Sequence, residues 1–337
     1  MVNKKGMSTT ALNWIFVFVA GALILLFAVK IINTQGKISD LEITSKILED
    51  LGSTLVGKST SDGSFSITKI PADKILDFQC TNICNERTGC ESYVKTITSD
   101  KQIPTEIRPI FTPQRIKFSR ELYSFVESWK VPFNVVNFVY LSYPGESLIF
   151  PNQQECNSVC KRISNRIPDK IKDAEIVVQD SVLAGRSKFK KTINFSDGCG
   201  PISQEGRKVC ITPRKITFYD IDGNVERSYD YLTDEEILAA IFTDNADTYE
   251  CNMRKAQYKY SQAVSTYLRK ATILLEEHNS VNNCNVGYSS MINFLGDYTL
   301  NEMDFFTKLE EIKKRGLDSS FKNQNLFVMR NGCPPLY

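Results

Sequence analysis

Ten cysteines are the residues of this chain whose chemistry is easiest to read: Cys80, Cys84, Cys90, Cys156, Cys160, Cys199, Cys210, Cys251, Cys284 and Cys333. Thiols oxidise in pairs or bind soft metals. An even count points to a disulfide framework of up to five bridges and to an oxidising compartment. Zinc sites or free thiols in a reducing compartment are the competing reading. Zinc fits less well, because His278 is the single histidine and no C-x2-C pair occurs. Cys80, Cys84 and Cys90 crowd into CTNICNERTGC, read as a loop held by local staples. As a metal knuckle it lacks a nearby fourth ligand. Cys156 and Cys160, four apart, fall on one face of an expected helix, where a bond between them is strained. Each is therefore expected to pair elsewhere. Cys199 and Cys210 bracket GPISQEGRKV and suit a local clasp, and Cys333 suits a bond to Cys251 or Cys284.

Other chemistry is sparse. A nucleophilic triad needs a histidine base, and the one histidine has no G-x-S-x-G turn to serve. HExxH cannot be written with one histidine, and neither a P-loop nor G-x-G-x-x-G occurs. Asp220-x-Asp222-x-Asn224 begins like a calcium loop, but Val225 stands at the sixth position and Tyr231 at the twelfth, so a turn is the better reading. Paired-carboxylate catalysis stays open, because acids are plentiful. No catalytic, cofactor-binding or metal residue is assigned, and no cofactor is expected. His278 reads as a surface residue at the end of a helix.

The element that positions everything else runs from Ala11 to Ile32, ALNWIFVFVAGALILLFAVKII, in which only Asn13 and Lys30 are polar. As a helix it spans about 33 Å, against about 30 Å of bilayer hydrocarbon. Trp14 sits near one end, where an indole favours the headgroup level. Residues 1–10 form a basic cytoplasmic lead, 11–32 an uncleaved transmembrane anchor and 33–57 an amphipathic stalk or first domain helix. Residues 58–337 form the ectodomain. Lys4 and Lys5 favour an inside N-terminus, while Lys30, Lys37 and Lys46 nearly balance them. The cysteines then decide the orientation, with the body outside. Asn194-Phe195-Ser196 is the one glycosylation sequon and suits that side. Without Lys4, Lys5 and Lys30, 38 basic residues face 39 acidic ones. That balance argues against a nucleic-acid partner.

Within the body the pattern predicts an α+β (mixed α/β) fold. Residues 64–117 read as strands. Asn134–Tyr143, a helix over Gln153–Ile167 and a strand over Ala174–Gln179 suggest a βαβ unit. Residues 187–232 read as antiparallel, with Lys188, Lys190 and Lys191 on a solvated strand face and a hairpin about Asp222-Gly223-Asn224. Thr233-Asp234-Glu235-Glu236 fits a capping box ahead of ILAAIF. A long helix over residues 246–278 carries Tyr249, Met253, Ala256, Tyr260, Ala263, Tyr267, Ala271 and Leu274 as a near-heptad seam. That seam packs on the body's own core or receives a neighbour's helix. Two short helical patterns follow, around NFLGDY and NEMDFFTKLEEIKKRG, and the terminal NLFVMRNGCPPLY reads as a docked tail.

Lys4-Lys5-Gly6, a polar tetrapeptide and an apolar helix resemble the leader of type IV pilins and archaeal pilin-like proteins. That family carries Glu as the fifth mature residue, where this chain has Ala11. The resemblance covers about 30 residues; it implies cleavage after the glycine and bundling of the apolar helix into a filament. Over most of its length the chain resembles an uncharacterised family of single-span proteins from small-genome archaea. NWIFVFVAGALILLF, VPFNVVNFVYL, AAIFTDNADTYECNM and CPPLY carry that likeness. It implies an anchored external domain and brings no site residues.

The function expected from these readings is that of a membrane-anchored extracytoplasmic structural or interaction protein of the cell envelope, in plain or pilin-like form. Its partners would be the lipid bilayer and an envelope protein or a second copy of itself. An anchored solute or glycan receptor is the first rival and predicts a pocket near the ends of the 134–143 and 174–179 strands. A carboxylate-based hydrolase is the second and predicts two acids facing one cleft.

Overall fold

The computed structural model describes residues 14–15, 17–30, 57, 62–69, 75–85, 89–96, 102–104, 108–117, 121–144, 147–151, 156–178, 190–196, 207–278, 281–296 and 317–337. The chain divides into two compact units, Met1–Asp50 and Leu51–Tyr337. In the first, residues 17–30 form helix α1, preceded by helical Trp14 and Ile15. Its apolar side chains are exposed, Phe18 and Ile24 among the most. Among the described residues no helix is long and apolar enough to cross a membrane. The rest of the expected 11–32 span lies outside the described residues, as do residues 1–10 and, except for Gly57, the expected stalk 33–57.

The second unit is a mixed α+β body, as its patterning predicts. Along the chain come β1 (Phe65–Lys69), β2 (Ile75–Asn85), β3 (Gly89–Thr96), β4 (Gln102–Pro104), β5 (Ile110–Phe111), β6 (Arg115–Lys117), β7 (Glu121–Lys130), β8 (Asn134–Ser142) and β9 (Ser147–Phe150). Helices α2 (Ser158–Arg166) and α3 (Asp169–Glu175) lead to β10 (Ile176–Val178), β11 (Lys190–Phe195), β12 (Arg207–Ile211), β13 (Lys215–Tyr219) and β14 (Val225–Asp230). Helices α4 (Asp234–Ile241), α5 (Ala246–Glu277), α6 (Asn282–Gly296) and α7 (Leu317–Arg330) complete the described elements. The strands make three sheets, ordered β1-β7-β8-β5, β4-β3-β2-β6 and β10-β9-β11-β12-β13-β14.

The βαβ unit exists, but not with the strand that sequence nominated. β10 lies parallel to β9, not to β8. β8 belongs to another sheet and pairs antiparallel with β7. The more apolar run, NVVNFVYLS, drew the assignment because its sheet is covered by helices; the short SLIF carries the same role in fewer residues. The antiparallel expectation for residues 187–232 holds from β12 to β14 only, since β11 pairs parallel with both β9 and β12. The hairpin at Asp222-Gly223-Asn224 is as expected. Asp220 Oδ1 accepts from the Asp222 and Asn224 amides at 2.9 and 2.8 Å, and Gly223 takes φ of 83°. This carboxylate is spent on its own turn.

Helices α4 and α5 organise the core. Ile237, Leu238, Ala239, Ala240 and Ile241 are all fully buried, and such all-round burial suits a helix that is apolar on every side. Helix α5 runs for 32 residues, opened by Asn245, whose side chain accepts from the Thr248 amide, and closed at His278. Tyr249, Met253, Ala256, Tyr260, Ala271 and Leu274 of the seam are buried; Ala263 and Tyr267 are partly so. The seam therefore packs within the chain. Phe133 meets Tyr267 at 4.2 Å between ring centroids, and Tyr249 meets Tyr229 at 5.2 Å. Phe125 stacks on Tyr140 at 4.5 Å.

Two sequence expectations at α4 need correction. Glu236 does not close a capping box onto the Thr233 amide; its carboxylate turns inward, and Thr233 makes no cap hydrogen bond. Lys191 is not on a solvated face. It is 4% exposed, and its Nζ donates to Ala240 O at 2.7 Å, Ile241 O at 2.8 Å and Thr243 O. These carbonyls end α4, where a cation is favoured, and Ala240 O also accepts from the Thr243 amide at 3.4 Å. Lys188 lies outside the described residues.

The terminal tail docks as expected. Leu336 is buried, Lys270 Nζ donates to Leu336 O at 2.6 Å, and Tyr337 stacks on Phe321 at 5.5 Å. NLFVMR itself is helical within α7. The helical pattern around NEMDFFTKLEEIKKRG lies outside the described residues.

Candidate functional site

Three cystines are described: Cys80–Cys251, Cys156–Cys160 and Cys284–Cys333. Cys210 is also disulfide-bonded, and no cysteine is free among the described residues. The Cys284–Cys333 bond ties the tail to α6, one of the two partners expected for Cys333. Cys80–Cys251 ties β2 to α5 across 171 residues of sequence. The expected loop around Cys80, Cys84 and Cys90 is instead an antiparallel hairpin, in which Cys84 stands opposite Cys90. The pairing of Cys156 with Cys160 overturns the expectation that each bonds elsewhere. The helix begins only at Ser158, with Asn157 as its cap, so Cys156 lies in the extended lead-in rather than on the helix face. Its Cα comes within 5.3 Å of that of Cys160, inside the ordinary span of a disulfide. Cys199 lies outside the described residues. Asn194 sits in β11 opposite Cys210, with its side chain half-buried.

Among the described residues, two polar clusters hold side chains whose carboxyl or amine is shifted by burial to about 7. The first gathers acids about Arg166, at the end of α2. Arg166 pairs with Glu127 of β7, with Glu235 at 2.5 Å and with Asp234 at 3.6 Å. Arg162, one turn earlier, forks onto Asp234 at 2.6 and 2.8 Å. Burial pushes the Glu127 carboxyl up to about 7; the nearby guanidinium opposes that rise and Glu235 adds to it. Arg166 is destabilised by burial, but Glu235 and Glu127 hold its pKa above the ordinary guanidinium value. Beside this cluster Glu236 is fully buried. It accepts from the Trp129 indole at 2.9 Å and from the Leu232 amide at 3.1 Å, and burial raises it to about 7. The acids therefore serve as ties between sheet and helix: each is engaged by a guanidinium, an indole or an amide.

The second cluster surrounds Lys255 on α5, among the described residues the only lysine in the set of largest fully buried side chains. The hairpin β2–β3 lies over this face of α5 and is fastened there by Cys80–Cys251. Cross-strand pairing sets Ser92 opposite Cys80, on the face turned to the helix. Lys255 Nζ contacts Ser92 Oγ, Asn252 Oδ1 at 3.2 Å and Arg108 O at 3.4 Å. Asn252 is itself fixed: its Oδ1 accepts from the Ile110 amide at 3.1 Å, and its Nδ2 donates to Thr248 O at 2.9 Å. Burial lowers the Lys255 amine to about 7.

A cavity of about 20 Å³ opens beside these groups, lined in part by Phe78, Ser92, Ile110, Thr112, Asn252 and Lys255. That exceeds the roughly 10–15 Å³ one water needs. A recess with convergent polar groups and a perturbed amine is what a functional site looks like before its ligand is known. It lies between β2–β3 and α5, not at the ends of the 134–143 and 174–179 strands, where a receptor pocket was expected.

Sequence reading missed Lys255, Ser92 and Asn252. Asn252 and Lys255 are three apart and so share a helix face next to Cys251, which was the one signal present. What buries them is a hairpin some 160 residues distant, and no local pattern reports that contact. No protein-family model, curated protein or solved structure matches this chain.

Proposed function

We propose that this chain is a membrane-anchored, extracytoplasmic structural or interaction protein of the cell envelope, of the single-span kind found in small-genome archaea. The observation that carries the reading is the oxidised state of the body. Bridges join β2 to α5 and α6 to the tail, and no described cysteine is free. Disulfides of this number persist where glutathione and thioredoxin do not reduce them. The anchor is supported by α1, whose Val, Phe, Ile and Leu side chains are 47–73% exposed. An apolar helix of that exposure is stable when lipid, not water, surrounds it. A pilin-like variant of the same reading adds processing after Gly6 and self-association through the apolar helix.

The test is sidedness of the full-length chain. The protein is expected to stay with membranes through an alkaline carbonate wash. Protease added to intact cells is expected to digest the C-terminal body and leave an anchored N-terminal fragment. Recovery in the soluble fraction, or a body protected until the cells are lysed, overturns the proposal. An intact mass beginning at Met1 or Val2 removes the pilin-like variant alone.

A further inference from the structure

We infer that the Cys156–Cys160 bridge is a thiol–disulfide exchange centre that oxidises paired thiols on a flexible peptide chain. The inference rests on the bridge itself and stands apart from where the body resides. Of the three described cystines, Cys80–Cys251 joins residues 171 apart in sequence and Cys284–Cys333 joins residues 49 apart, whereas Cys156–Cys160 joins residues 4 apart. A bridge restrains the unfolded chain less as its loop shortens. This one therefore does the least to hold the fold. Nor does α2 depend on it for its seat. Ile163 and, at the helix end, Ile167 are buried, Arg162 forks onto Asp234, and Arg166 pairs with Glu235 at 2.5 Å.

The two sulfurs are not equivalent. Cys156 precedes the helix and is half-buried, while Cys160, the third residue of α2, is 1% exposed. An incoming thiolate reaches Cys156 first, so Cys160 is the sulfur that leaves. Cys160 stands in the first turn, where the N–H groups of a helix start favour a thiolate over a thiol. No acidic side chain occupies that turn to oppose it. A stabilised thiolate is the faster leaving group. Asn157 Oδ1 accepts from the Cys160 amide at 2.9 Å, a cap that does not need the bridge. The reduced thiols therefore stay side by side and can close again. The other described cystines lack this arrangement. Cys284 and Cys333 are both buried and offer no sulfur to an attacking thiolate. Cys80 is half-buried, but its partner Cys251 lies beyond the first turn of α5.

The exchange proceeds in two displacements. A substrate thiolate sulfur bonds to Cys156 Sγ, the bridge breaks, and its electron pair leaves on Cys160. The second substrate thiol gives its proton to water, and its sulfur bonds to the first substrate sulfur. That step expels Cys156 as a thiolate, and each cysteine then takes up a proton. The sum is dithiol plus cystine giving a substrate disulfide plus two cysteine thiols. The substrate loses two electrons and the bridge gains them. A small-molecule disulfide such as oxidised glutathione restores the bridge by the same exchange, leaving as two thiols. Because only Cys156 is reachable, the substrate must be slender and flexible enough to bring two sulfurs to it in turn.

The experiment mixes the full disulfide-bonded chain with a synthetic peptide carrying two reduced cysteines. The mixture is quenched in acid, alkylated and mapped by peptide mass. The peptide is expected to oxidise one for one with the chain, leaving alkylated Cys156 and Cys160 while Cys80–Cys251 and Cys284–Cys333 stay closed. A peptide with one thiol is expected to leave a mixed disulfide on Cys156. In the paired change Cys156→Ser and Cys160→Ser, peptide oxidation is expected to fall to its rate in buffer alone. Another bridge opening first, a mixed disulfide on Cys160, or oxidation by the double variant at the parent's rate overturns the inference. A bridge that stays closed against excess peptide overturns it equally. If the double variant does not fold, the map of the unaltered chain decides between these outcomes.

Discussion

Trp129 and Glu236, 107 residues apart in sequence, meet at 2.9 Å in the core, with the indole Nε1 donating to the carboxylate. Both side chains are fully buried. The contact joins β7 to the first turn of α4 and ties the sheet β1-β7-β8-β5 to the helix that fills the centre of the body.

This burial makes stability depend on pH with a definite sign. The Glu236 carboxyl rises from 4.5 to about 7 on folding. Between those values the folded chain holds a proton that the unfolded chain has lost, so stability falls as pH rises through the window. Urea unfolding at pH 4.5 and 7 is expected to show the parent losing stability relative to Glu236→Gln across this interval. Parallel curves contradict the account. Lys255 has the opposite sign in a different window. Its amine falls from 10.5 to about 7, so between those values the unfolded chain binds the extra proton and stability rises with pH. Lys255→Met is expected to abolish that alkaline rise.

Lys191→Met tests the helix end. The substitution keeps the bulk of the stem and removes the donors to Ala240 O, Ile241 O and Thr243 O. Ala240 O keeps the Thr243 amide, whereas Ile241 O and Thr243 O lose this donor, at about 1–3 kcal/mol for each buried carbonyl left unsatisfied, less what water recovers. A loss of about 2–4 kcal/mol in chemical denaturation is expected; a change within experimental error contradicts the capping role.

Gly287→Ala tests the approach of α6 and α7. A methyl there would overlap Val328 Cγ1, which α7 presses against the glycine. Overpacking of this kind costs about 1–3 kcal/mol. Gly287→Ala combined with Val328→Ala is expected to recover part of the loss, and a double variant no better than the single one contradicts the contact.

The Cys80–Cys251 bridge closes 171 residues of chain. Chain-entropy arguments put its stabilisation at up to about 5 kcal/mol. The paired change Cys80→Ser and Cys251→Ser is expected to lower the melting temperature. It is also expected to raise amide exchange in β2 and β3 more than in β12 and β13. Uniform exchange across all four strands would mean that the bridge does not hold the hairpin to α5.

What sequence revealed of this fold follows the range of the interactions involved. Helix α5 was legible because its near-heptad seam runs from Tyr249 to Leu274 and Asn245 marks its start. The β13–β14 hairpin was legible because Gly223 supplies the positive φ that its turn requires. Misreadings occurred where a distant partner chose between local options. Glu236 has the spacing of a capping box, yet Trp129 claims its carboxylate. Lys191 looks solvated in a run of lysines, yet the end of α4 receives it. Cys156 looked helical because residues 153–157 lack a breaker, whereas Asn157 caps the helix only after it. The Lys255 recess was invisible for the same reason, since its wall arrives from a hairpin far back in the chain.

The measurement that bears most directly on the whole account is a thiol count on the full-length chain. Cells are quenched in acid, the protein is denatured without reductant, and a maleimide mass tag is added. The account predicts no tags before reduction and ten after it, one for each cysteine. Ten tags before reduction would place the body in a reducing compartment and contradict the cystine-bearing exterior body proposed here.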